Sequence, residues 1–153
     1  MLDECPFCKI AKGLAPCHKI WEDDDFLAFL SIFPNTEGFT ILITKEHFDS
    51  YVFNLEDDLL CKFIIAAKYV AKLLDTKLDD VSRTGLIFES CGIDHAHIKL
   101  IPMHGTANIS KWKPTTTYFD TYFKKYPGYL SSHESSRKDD KELEKTAKKI
   151  ILQ

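Results

Sequence analysis

Between His95 and Ile101 polar and apolar residues alternate, with His95, His97 and Lys99 interleaved by Ala96, Ile98 and Leu100. Successive side chains of an extended chain point to opposite faces. The stretch therefore reads as a strand over Ala96 to Ile101, closed by Pro102, with a core on its apolar face and a site on the other. Three nitrogen-bearing side chains in a row can chelate a metal or surround a phosphate. Imidazole near neutral pH serves as nucleophile, acid or hydrogen-bond donor. Two strand histidines satisfied by ordinary hydrogen bonds are an equally good reading of His-x-His by itself.

The rest of the chain supplies partners for that strand. Lys19 to Glu22 and Phe26 to Leu30 read as a hairpin around the acidic turn Asp23-Asp24-Asp25. The turn formers Pro34 to Gly38 precede a β-branched and aromatic run, Phe39 to Ile43, which ends near Lys45-Glu46-His47. From Asn54, a candidate cap, the period changes. Glu56, Asp57 and Asp58 fall in a first turn, and Leu59, Leu60, Phe63, Ile64, Ala67, Val70, Ala71 and Leu74 recur at helical spacing. This predicts the longest helix, about five turns. Gly85 to Glu89 reads as a further strand, and Cys91 to Asp94 as a tight connection.

The expected class is α+β: an antiparallel sheet of about five strands, one long helix and peripheral helices. With 153 residues and 44% hydrophobic composition there is one substantial core and no room for a second full domain. The aromatic stretch holding Trp112, Tyr118, Phe119, Tyr122, Phe123, Tyr126 and Tyr129 is expected as a strap or short helices on the sheet edge or a partner subunit. A polar break at Ser131 to Ser136 precedes a charged segment with Leu143, Ala147, Ile150 and Ile151 as a thin apolar stripe. The expected division is a domain over 1–130 and a charged helical extension over 131–153.

A formal net charge of -3 offers no basic field for a nucleic-acid backbone, so duplex DNA and long RNA are not expected partners. Met1 to Cys5 has neither the cationic start nor the apolar stretch of a secretion signal, and no apolar run reaches the roughly 20 residues that span a bilayer. A soluble, cytoplasmic protein without a membrane partner is expected. The cysteines, at 5, 8, 17, 61 and 91, form an odd set, which argues against a disulfide framework. Cys17, Cys61 and Cys91 are expected to be buried. Cys5-Pro6-Phe7-Cys8 has the spacing of a metal knuckle, but it needs a distant second pair of ligands. The alternative is two reduced thiols. A redox role is disfavoured, because no thioredoxin-like pattern follows.

Taken in order, the Cys-x-x-Cys, the segment Pro34-Asn35-Thr36-Glu37-Gly38-Phe39-Thr40-Ile41-Leu42-Ile43-Thr44-Lys45-Glu46-His47, the helix and His-x-His-x-Lys-x-Ile-Pro resemble the histidine triad family of nucleotide hydrolases and transferases. The resemblance runs from Cys5 to about Gly105. It implies that His97, the middle residue, attacks the α-phosphate of a nucleotide and forms a nucleotidyl-histidine intermediate. The third position, a phosphate-binding histidine in the family, is Lys99 here, which offers charge but not an imidazole's proton exchange. The galactose-1-phosphate uridylyltransferases also lack that histidine, carrying glutamine, and transfer the nucleotidyl group to another phosphate.

By similarity of position, the resemblance puts Phe26, Leu30 and Phe33 on the wall of a base pocket. Ser31 stands where the family usually has an aspartate on the ribose, and Phe39 where it often has a histidine. Phe88 to Asp94 replaces a longer phosphate-contacting loop. His104 is a candidate acid near the phosphate. Zinc-bearing members match Cys5, Cys8, His47 and His95 as a closed structural zinc site. A small-molecule nucleotide as ligand and a two-fold dimer are also implied. The rival to an active enzyme is a nucleotide-binding or scaffold protein whose turnover has lapsed.

Overall fold

A computed structural model of the chain describes residues 5–107, 120–131, 136–137 and 139–141. It forms two compact units, Met1–Lys111 and Trp112–Gln153. Within the second, residues 120–131 are neither helix nor strand, and the rings of Phe123 and Tyr129 meet edge to face at 6.0 Å. Trp112, Tyr118, Phe119 and the expected helical stripe from Leu143 to Ile151 lie outside the described residues.

The first unit holds, in chain order, α1 (Pro6–Ala11), β1 (Lys19–Glu22), β2 (Phe26–Leu30), β3 (Thr40–Thr44), α2 (Asp57–Lys77), β4 (Val81–Ile87) and β5 (His97–His104). The strands make one antiparallel sheet in the order β1-β2-β3-β5-β4. The β1–β2 hairpin is fixed by Asp23, whose Oδ1 accepts the amides of Asp25 at 3.0 Å and Phe26 at 2.7 Å.

Helix α2 covers one face of the sheet. Phe63, Ala66, Ala67, Val70 and Leu74 are its buried residues, and they pack on Phe26, Ala28, Leu42, Ala96, Ile98 and Leu100. The even-numbered face of the expected strand is thus the core. Ile64 and Cys61 sit on the outer side of α2 and are exposed. Asn54 does not cap the helix; it ends a single 3-10 turn, Val52–Asn54, and the cap position is Glu56. Asp57 and Asp58 face the amino-terminal dipole and Lys77 the carboxy-terminal one.

Two boundaries differ from expectation for a common reason. β5 continues through Pro102 to His104, and β4 begins four residues earlier than Gly85, at Val81. The last pairing of β5 with β3 is Thr40↔Leu100, so beyond it β5 is flanked by β4 alone. A proline is tolerated where one side of a strand has no ladder to feed.

Gly38, at the entry to β3, has φ +77, and a Cβ there would stand 2.8 Å from Leu78 Cδ1 and 3.1 Å from Pro102 Cγ. The turn needs glycine for its left-handed backbone and for this close approach to the end of α2 and to β5.

Candidate active site and metal centre

The second face of the sheet carries the polar residues of β5. Cross-strand register sets Leu27, Ile43 and His97 in one row, and Phe29, Ile41 and Lys99 in the next. Onto these rows packs α1, a helix of six residues begun by Pro6 in its first turn. The Cys-x-x-Cys spacing suggests a knuckle but gives no sign of this helix. Phe7, inside the Cys-x-x-Cys, is buried and meets Phe29, His95 and His97 edge to face at 5.7, 5.8 and 5.5 Å. Its position between the two cysteines was the only signal available.

Helix α1 brings Cys5 and Cys8 to His47, just beyond β3, and to His95, just before β5. The four potential ligand atoms all lie within 4.8 Å of one another. Cys5 Sγ is 3.4 Å from His95 Nδ1, and Cys8 Sγ is 3.3 Å from His47 Nδ1 and 3.5 Å from His95 Nδ1. In a tetrahedral zinc site, bonds of about 2.3 Å to sulfur and 2.0 Å to nitrogen place those atoms roughly 3.5 Å apart. The donor set and its spacing fit one tetrahedral ion. His95 Nε2 donates to the Thr44 carbonyl at 2.7 Å, which places the ring's proton there and leaves Nδ1 as a lone pair aimed at the cysteines. Burial is the main cause that lowers the His95 pKa, favouring the neutral ring that ligation requires.

His97 is buried at the start of β5, and its Nδ1 donates to the backbone oxygen of His95 at 2.7 Å. A carbonyl can only accept, so Nδ1 carries the proton and Nε2 keeps a lone pair. Burial, opposed by this hydrogen bond, lowers its pKa, and the nearby Lys99 charge pushes the same way.

His97 and Lys99 line a cavity of about 460 Å³ with Leu30, Ser31, Phe33 and the apolar side chains of Phe7, Phe29 and Ile41. The Lys99 ammonium is paired with Glu89, whose side chain is 9% exposed. Glu89 was not foreseen as a site residue. Its signal was the cation it needs: a carboxylate so nearly buried is stable only beside a positive charge. Cys17 and Cys91 also line the cavity, half-buried and exposed respectively, so the expectation of full burial fails for them as for Cys61.

Two expected nucleotide contacts go elsewhere. Phe26 faces α2 and stacks on Phe63 at 5.1 Å with the rings 6° from parallel. Phe29, three residues on, takes the cavity wall. His104 lies at the far end of β5, seven residues from His97 and so roughly 23 Å along the strand. There its Nδ1 meets Asp80 Oδ1 at 2.7 Å and its Nε2 meets the Glu37 carbonyl at 2.9 Å. Two acceptors on two nitrogens favour the imidazolium, and the His104 pKa is raised, by Glu37 first and Asp80 second.

A five-stranded antiparallel sheet, with a long helix on one face and a buried histidine beside a largely apolar cavity on the other, defines a class of small α+β protein. The HIT domain model matches residues 12–106. An uncharacterized HIT-like protein of Methanocaldococcus jannaschii is 33% identical over 113 residues, which cover 71% of this chain and 86% of that one. The adenosine 5'-monophosphoramidase of Saccharomyces cerevisiae is 31% identical over 134 residues, 86% of this chain and 84% of its own. A solved structure, that of a Zn-bound histidine triad family protein from Mycobacterium smegmatis, shares the fold with TM-score 0.63 at 23% identity, covering 72% of this chain and 82% of that one. The chain belongs to the HIT domain family.

Proposed function

We propose that the protein is a nucleotide hydrolase or nucleotidyltransferase acting at an α-phosphate, with His97 as nucleophile. The observation that carries this reading is the hydrogen bond from His97 Nδ1 to the His95 carbonyl, which leaves Nε2 as the basic nitrogen of a side chain that lines the cavity. The yeast relative's activity as an adenosine 5'-monophosphoramidase supports a phosphoramidate as substrate. In that reaction a bond forms from Nε2 to phosphorus as the phosphorus–nitrogen bond breaks, and the departing nitrogen takes a proton from solvent and leaves as ammonia, a proton that the attacking water of the next step returns to solvent. Water then attacks phosphorus, the bond to Nε2 breaks, and the nucleoside monophosphate departs. A second phosphate in place of water makes the same step a transfer. Leu30, Ser31 and Lys99 contribute to nucleotide binding, Lys99 by its charge.

Cys5, Cys8, His47 and His95 hold a structural zinc in this reading. Four protein ligands close the coordination shell, so the ion's contribution is to tie α1 to the sheet. The protein is cytoplasmic and forms a two-fold dimer, with a small-molecule nucleotide rather than nucleic acid as its ligand. No helix among the described residues is long and apolar enough to cross a membrane.

One observation favours a second reading, a nucleotide-binding or scaffold protein without turnover. Lys99 is held by Glu89, and the described cavity wall presents no further imidazole to protonate a leaving group. Incubation with nucleoside phosphoramidates, dinucleoside polyphosphates and nucleotide sugars separates the two. Turnover by the parent that is lost in His97→Ala is the expected result. If nothing in the panel turns over, or if His97→Ala matches the parent, the enzymatic reading is wrong.

A further inference from the structure

Taking the cavity beside His97 as the nucleotide site, on which this inference rests, we propose that it does not distinguish ribose from 2'-deoxyribose. Recognising the sugar's vicinal hydroxyls takes an acceptor able to hold them, and in dinucleotide sites that acceptor is a carboxylate. Among the described residues that line this cavity, none carries a carboxylate or a carboxamide. The polar side-chain groups on its wall are the Ser31 hydroxyl, His97, Lys99 and two thiols.

Each of these is a poor reader of a 2'-hydroxyl. The Ser31 Oγ already accepts the amide of Phe33 at 3.2 Å, so one lone pair and one O–H remain to it, and it carries no charge with which to hold the vicinal pair. His97 has Nδ1 committed to the His95 carbonyl, and its Nε2 is the atom that must reach phosphorus. Lys99 has donors only and is paired with Glu89. Thiols are weak in both roles. The remaining lining is apolar, from Phe7 and Ile10 through Phe29 and Ile41 to Ile93.

A site built to hydrogen-bond a substrate hydroxyl rejects the analogue lacking it by about 10⁴-fold or more, because its own polar groups are then stranded. A wall that holds no acceptor committed to the 2'-hydroxyl strands nothing when that hydroxyl is absent. Affinity here comes from burying the base and placing the phosphate, and the 2'-position contributes little to either.

The test compares AMP with 2'-deoxy-AMP on the full chain by calorimetry, and the corresponding phosphoramidates by kcat/KM. Both ratios are expected to lie within about threefold of one, far from the discrimination of a hydroxyl-reading site. A preference for the ribonucleotide of about tenfold or more, roughly the size of one good hydrogen bond, overturns the inference. Ser31→Asp, on a half-exposed loop position, supplies the missing acceptor and is expected to raise the ribose preference about tenfold, through affinity. A ratio that does not move in Ser31→Asp overturns the placement of the sugar beside Ser31. Binding with strong ribose preference defeats this inference alone, whereas no binding of either nucleotide and no turnover defeats the reading of the site as well.

Discussion

The Nε2–H of His95 meets the carbonyl oxygen of Thr44 at 2.7 Å, and on the other side of the ring Nδ1 lies 3.4 Å from Cys5 Sγ and 3.5 Å from Cys8 Sγ. A backbone acceptor thus fixes which nitrogen is offered to the cysteines before any ion arrives. Purified protein is expected to carry about one zinc per chain by elemental analysis, and Cys8→Ser and His95→Ala are expected to lose it. Chelation should lower the thermal midpoint of the parent and leave that of Cys8→Ser where it is. Zinc retained by both variants would refute the ligand set.

His97→Gln preserves a polar side chain of similar reach but has no basic nitrogen. Turnover should fall on the order of a thousandfold or more, while AMP binding measured by calorimetry changes little. Loss of binding in parallel with turnover would place His97 in ground-state recognition instead.

The Lys99–Glu89 pair makes a stability prediction of unequal halves. Lys99→Met leaves the nearly buried Glu89 carboxylate without its lysine and should cost about 2 kcal/mol, a value reduced from that of a fully buried pair because the Lys99 side chain is 29% exposed. The double variant Lys99→Met/Glu89→Gln should recover most of that loss in chemical denaturation. If the double variant is no more stable than Lys99→Met, the pairing is not what holds Glu89.

The clasp of His104 between Asp80 and Glu37 is pH-dependent. Its folded pKa is raised, so its stabilisation is complete below the ordinary histidine value of about 6.5 and fades as pH climbs through the higher folded value. Asp80, whose pKa His104 lowers, titrates well below that window. The difference in thermal midpoint between the parent and His104→Gln should be largest near pH 6 and shrink toward pH 8.5. A difference that grows with pH would reverse the assignment of charge.

Gly38→Ala should destabilise the fold by about 2 kcal/mol, combining the cost of a positive φ for an L-residue with contact against Leu78 and Pro102. Equilibrium urea unfolding measures it, and an effect within about 0.5 kcal/mol, the usual range for a neutral surface change, would show that the turn relaxes freely.

What could be read from sequence followed the strength of local periodicity. β5 declared both its faces, since Ala96, Ile98 and Leu100 lie in the core with α2 while His97 and Lys99 line the cavity. β2 did not, because Phe26, Leu27, Ala28 and Phe29 are all buried, and apolar side chains on both faces give no alternation. Only pairing with β3, which sets Phe29 opposite Ile41, reveals that Phe29 rather than Phe26 meets the cavity. His104 was misplaced by reading nearness in sequence as nearness in space along an extended strand. α1, at six residues, is too short for a helical period to show.

The 90-residue separation of Cys5 and His95 also bears on the order in which the molecule is completed. Non-local contacts are slow to close. α1, the earliest described element in chain order, packs on Leu27 and Phe29 of β2 and Ile41 and Ile43 of β3, but its seat against His95 and His97 is complete only when β5 is in place, and it carries Pro6, Phe7 and Ile10 of the cavity wall with it. The pocket is therefore a late product of folding, and a chain that binds its ligand has, by that act, reported that its two distant ends of the domain have met.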